Sequence, residues 1–81
     1  MVNVIFYNLL RSKYNVKEMI VSSGTVHSII DEILRRVPAM KSSDFKTCVV
    51  FHKGKPIHHG RFHNEIEEGE EIIITHFVGG G

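Results

Sequence analysis

The residues best placed to do chemistry in this chain carry no side chains. A strand-like run, Ile72-Ile73-Ile74-Thr75-His76-Phe77-Val78, leads directly into Gly79-Gly80-Gly81. Glycine has nothing to bury and loses the most conformational freedom on ordering, so packing gives no reason for such a run. What it supplies is a thin stalk with a carboxylate at Gly81. The stalk is expected to be flexible and to enter a narrow site that any Cβ would block. On this reading the Gly81 carboxylate is the reacting group and Gly79 and Gly80 give it clearance. Phe77 and Val78 hold the base of the stalk against the globule or a partner.

Other chemistry-bearing residues form no convincing constellation. Six histidines are many for 81 residues, and neutral imidazole is a common metal ligand. His58, His59 and His63 are the nearest thing to a cluster. They have no neighbouring cysteine and no diagnostic carboxylate spacing, so they are expected to be solvated loop residues with no metal. His27 lies off the apolar stripe of its helix and is expected to be exposed. His76, in the last strand, is expected to be partly buried and hydrogen-bonded. The single cysteine, Cys48, falls within a strand and reads as a small hydrophobe. There is no Ser/His/Asp set, no phosphate-cradling glycine loop and no catalytic carboxylate pair. Glu67, Glu68, Glu70 and Glu71 read as a solvated turn, available to a basic partner groove. The chain is therefore expected to be acted on by an enzyme rather than to be one.

The elements that must position the stalk follow from hydrophobic periodicity. Val2–Leu10 reads as a strand apolar on both faces, as central strands are. Arg11–Asn15 reads as a polar connection to a shorter strand, Val16–Val21, making an antiparallel hairpin. Thr25 is a candidate N-cap. Val26, Ile29, Ile30, Ile33, Leu34 and Val37 then mark one face of a helix. Asp31 and Glu32 each stand four residues before Arg35 and Arg36 on the other face, and Pro38 ends the helix. A loop over 39–46, a strand at Thr47–Phe51, a short edge strand at Pro56–His59, an irregular stretch over 60–64 and a final strand at Glu71–Val78 complete the chain. One amphipathic helix must cover one face of a single sheet. The first and last strands are expected to pair in parallel at its centre. This gives an α+β roll over residues 1–78, with residues 79–81 as its tail.

Composition narrows the function classes. A net charge of +1 with scattered basic residues argues against binding driven by phosphate neutralisation, so no nucleic-acid partner is expected. No apolar run is long enough to span a bilayer, no secretory signal pattern opens the chain, and a lone cysteine excludes an internal disulfide. A cytoplasmic, monomeric protein is expected.

Three segments together carry a resemblance. Gly24-Thr25-Val26, Glu68-Gly69-Glu70-Glu71-Ile72 and Phe77-Val78-Gly79-Gly80-Gly81 resemble, in that order and spacing, the ubiquitin-like β-grasp proteins of the sulfur-carrier family. That family includes the thiamin-pathway sulfur carrier and the small subunit of molybdopterin synthase. The resemblance spans the whole chain. It implies a mixed four- to five-stranded sheet with one main helix on one face. It also implies that a ubiquitin-activating-type enzyme uses ATP to adenylate the Gly81 carboxylate, with no cofactor bound by the carrier. A sulfur donor then makes a thiocarboxylate, and a synthase accepts the sulfur. The Thr75-His76-Phe77-Val78 approach, without prolines, looks more like the thiamin type. The added length at 38–46 and 60–65 does not, and both pathways stay open. The same fold and tail also suit a ubiquitin-like protein modifier or a non-catalytic interaction module.

Overall fold

Strand β1 (Val2–Tyr7) buries Val2, Val4 and Phe6 on one face and turns Asn3, Ile5 and Tyr7 to the other. This alternation fixes which side of the sheet the core occupies. The structure, a computed structural model, describes residues 1–76. The expected flexible tail at 79–81 and the last two residues of the expected final strand lie outside the described residues.

After β1 come helix α1 (Asn8–Tyr14), β2 (Glu18–Val21), β3 (Gly24–Thr25) and helix α2 (Val26–Arg36). A 3-10 turn (Ser42–Phe45), β4 (Cys48–His52), β5 (Lys55–Ile57), a second 3-10 turn (His59–Arg61), β6 (Glu65–Ile66) and β7 (Glu71–His76) follow. The main sheet has five strands in the order β2-β1-β7-β4-β5. β1 and β7 pair in parallel, with Val4 opposite Ile72 and Phe6 opposite Ile74. The other pairings in this sheet are antiparallel. This is a ubiquitin-like β-grasp arrangement, as the strand and helix pattern predicted.

Helix α2 forms where its periodicity places it. Thr25 caps it, its hydroxyl accepting from the Ser28 amide at 3.0 Å. The Val26 and His27 amides, which have no partner within the helix, donate to the carbonyls of Asn64 and Phe62. Val26, Ile29, Ile30 and Ile33 are buried against the sheet, with Leu34 and Val37 packed at the margin. Glu32 and Arg36 pair at 3.3 Å, and the Arg36 guanidinium also donates to the Ile20 carbonyl. Gly24 is needed at the helix entry because a Cβ there would stand 2.5 Å from the Ser28 hydroxyl oxygen.

Helix α1 corrects the reading of Val2–Leu10 as one strand and of Arg11–Asn15 as a polar connection. The strand stops at Tyr7 because Asn8 takes a left-handed backbone angle, φ 59°, a conformation asparagine tolerates better than most residues. Its side chain donates to the Thr75 hydroxyl at 2.6 Å and so fixes the turn. Asn15, φ 53°, ends the helix in the same conformation. Between them Leu10 is buried and Tyr14 packs on the core. The expected antiparallel pairing of β1 with β2 survives the insertion. The loops also contribute more than expected: Met40, Phe45, Phe62 and Ile66 are all buried, and β6 pairs with β3 as a separate two-stranded sheet.

Candidate functional site

The root of the glycine tail is the centre of the sheet. β7 is held on one side by β1, up to Tyr7 opposite Thr75, and on the other by β4, up to Cys48 opposite His76. A strand bonded on both edges cannot swing, so the chain emerging after His76 starts from a fixed point. Two side-chain bonds reinforce it: Asn8 to Thr75, and Thr47 Oγ1 with His76 Nε2 at 2.9 Å. The expected role of His76 as a partly buried, bonded residue is met. The other residues singled out from the sequence, Phe77, Val78, Gly79, Gly80 and Gly81, lie outside the described residues.

Beside this root lies an open groove of about 620 Å3, with Lys46, Thr47, Val49, Ile57, His58 and His76 among its lining residues. Cys48 lies at its floor, only 3% exposed. Its thiol donates to the Asp44 carbonyl at 3.0 Å, and burial, with a smaller push from the Asp44 charge, raises it to about 11. A thiol held protonated in this way is a poor nucleophile, and Cys48 behaves as the small hydrophobe its strand position suggested. His59 Nε2 lies 2.9 Å from the Cys48 carbonyl, and the ring stacks on Phe62 at 4.5 Å. His27, His58 and His63 are exposed. Among the described residues no set of three or more His, Cys, Asp or Glu is arranged to hold a metal.

Sequence reasoning missed two anchors of this end of the molecule. Tyr14 donates through its hydroxyl to Asp44, tying α1 to the turn that precedes β4. Asp44 also accepts from the Lys41 amide at 2.9 Å. The tyrosine bond, then the amide bond, hold its carboxyl below the usual range. The available signal was a pair of asparagines bracketing a short stretch with Leu10 and Tyr14 at i and i+4.

The far end of β7 is built differently. In the turn over 67–70, Glu70 Oε1 accepts from the Glu67 amide at 2.8 Å. The Glu70 amide donates to the Glu67 carbonyl at 3.1 Å. Glu70 Oε2 lies 3.2 Å from Lys53 Nζ and 3.1 Å from His52 Nε2. The backbone bond, followed by the bonds from His52 and Lys53, brings its carboxyl down to about 2. Glu70 therefore anchors the turn, whereas the sequence suggested only a solvated acidic stretch. Gly69, φ 84°, supplies the left-handed step that the turn requires.

No protein-family model matches the sequence, and no curated protein matches it significantly. Among solved structures, the crystal structure of SAMP1 from Haloferax volcanii matches with a TM-score of 0.76, covering 99% of this chain and 98% of that one. The two sequences are 18% identical. The likeness shows the ubiquitin-like β-grasp fold. No helix among the described residues is long and apolar enough to cross a membrane.

Proposed function

We propose that this protein is a sulfur carrier whose Gly81 carboxylate is the working group. The observation that carries the reading is the glycine run set two residues beyond the central strand of a β-grasp sheet, a strand clamped by β1 as far as Thr75 and by β4 as far as His76. A rigid root and side-chain-free glycines suit delivery of a carboxylate into a narrow site on another protein. In the proposed cycle a ubiquitin-activating-type enzyme binds the globule and threads the tail. A Gly81 carboxylate oxygen attacks the α-phosphorus of ATP, and pyrophosphate leaves. A hydrosulfide-level donor then attacks the acyl carbon and AMP leaves, giving the thiocarboxylate. A synthase of thiamin-thiazole or molybdopterin assembly accepts the sulfur. The carrier needs no general base, which accords with the buried, protonated Cys48.

The test is ATP–pyrophosphate exchange with the activating enzyme, comparing the native chain, Gly80→Val and a chain extended by one residue after Gly81. The extension moves the carboxylate by roughly 3 Å, and misplacement of about 1 Å can already cost on the order of a hundredfold. Equal exchange by all three chains would remove the terminus from the chemistry. Intact-mass measurement separates sulfur transfer from protein modification. A carrier gains the mass difference between sulfur and oxygen, whereas a modifier appears as adducts on the lysines of other proteins.

A further inference from the structure

The groove beside His76 exists because two neighbouring strands have unequal lengths. The β4–β5 ladder ends at Val50 opposite Ile57. Cys48 and Val49 continue β4 past that point, while His58 leads the chain away into the 3-10 turn at His59–Arg61. Among the described residues, no strand therefore lies along the β5 side of the first half of β4. The carbonyl of Cys48 on that side is met by the His59 ring in place of a backbone amide. An uncovered sheet edge is a template for another extended chain.

The chemistry of the lining narrows the occupant. Val49, Pro56 and Ile57 give an apolar floor, and Lys46, His58, His59 and His76 stand around it, with no carboxylate among the described lining residues. Asp44, the nearest acid in sequence, is engaged by Tyr14, the Lys41 amide and Lys13. An apolar trough along an open strand edge, with the Lys46 ammonium and hydrogen-bonding imidazoles at its rim, complements an extended segment bearing alternating apolar and carboxylate side chains.

We propose that this groove docks such an acidic, apolar segment of a partner protein, laid along Thr47–Val49 where β4 begins. The inference stands on the groove and does not require the chemistry proposed for Gly81. The two can fail separately.

A random peptide display library panned on the immobilised full chain tests it, with the most enriched clone synthesised and titrated into 15N-labelled full-length protein. Enrichment of clones mixing Asp or Glu with Val, Ile or Leu is expected, with saturable amide shifts at Thr47, Val49 and Ile57. Lys46 and His58 are exposed, so Lys46→Glu and His58→Asp should leave the melting temperature in place. Each should weaken the peptide by about tenfold by setting like charges against each other. Four results would overturn the proposal: no enrichment, enrichment of basic clones, shifts confined to other faces, or affinity indifferent to both variants. Shifts at Gly80 and Gly81 as large as those at Val49 would mean that the peptide displaces the chain's own tail, and would assign the groove to that tail instead.

Discussion

At its first residues β7 meets a turn in which Glu70 is paired with Lys53 and His52, and at its last it meets a groove whose described lining residues include Lys46 and no carboxylate. The strand is paired with both β1 and β4 from Ile72 to Thr75, with β1 alone at Glu71 and β4 alone at His76. The difference lies in the side chains around it. At the Glu70 end the Glu70 carboxylate is held by the Glu67 amide, Lys53 and His52, and that arrangement serves stability. At the His76 end Lys46 and His58 are exposed beside an apolar floor, and that arrangement leaves affinity for something else. A small domain keeps only a modest stability margin. Locking one end of its central strand lets the other end stay open without loosening the strand.

The largest expected effect comes from the strand itself. Ile72 is fully buried opposite Val4 and His52. Ile72→Ala should cost about 2–5 kcal/mol, as a large-to-small core change does. The measurement is denaturant unfolding. A cost below about 1 kcal/mol would mean that the Glu70 end tolerates a cavity, and the contrast between a locked and an open end would break. Next in size is Gly80→Val. It should lower exchange with an activating enzyme by about a hundredfold while the melting temperature stays that of the native chain. A variant that unfolds would show that the tail stabilises the globule, contrary to the division of labour argued here.

The parts of this architecture that were legible in the sequence are those fixed by period. Val2, Val4 and Phe6 alternate, Ile29, Ile30 and Ile33 follow the helical repeat, and Thr25 stands at the cap, so β1, α2 and their facing were readable. The parallel pairing of β1 with β7 followed from both being apolar on two faces. Helix α1 was not readable, because a left-handed asparagine, and no glycine or proline, ends β1, and because its seven residues show too few turns for a period. The groove was hidden for another reason. It depends on β5 stopping short of β4, a matter of register between strands that composition does not encode. Glu70 looked like one acid among several, since only the turn geometry selects it to accept from the Glu67 amide.

A pH titration sharpens the comparison at the locked end. The Glu70 carboxyl lies at about 2 in the folded protein against an ordinary 4.5. A carboxylate with a lowered folded value stabilises the fold fully above its unfolded value, and that contribution is lost as pH falls through the folded one. The melting-temperature gap between the native chain and Glu70→Gln should therefore be constant above pH 4.5 and close between about 4.5 and about 2. A gap that persists at the acid limit would show that Glu70 acts through its shape and neutral hydrogen bonds, not its charge.

The smallest effect is expected at the open end. Thr47 is exposed and its hydroxyl bonds His76 Nε2 at 2.9 Å. Thr47→Val removes that bond while keeping the branched shape a strand start accepts. Both groups can turn to water once parted, so the loss should be about 0.5–1 kcal/mol, the net worth of a solvent-accessible hydrogen bond. The backbone pairing of Cys48 with His76 is untouched by the change, and β7 should keep its place. Hydrogen exchange at the Thr75 and His76 amides measures this directly. Protection close to that of the native chain is expected. If protection at Thr75 and His76 collapsed while that at Ile72 held, the root of the tail would depend on one exposed side-chain bond. The fixed point from which the proposed carrier presents Gly81 would then have to be assigned to the partner rather than to the fold.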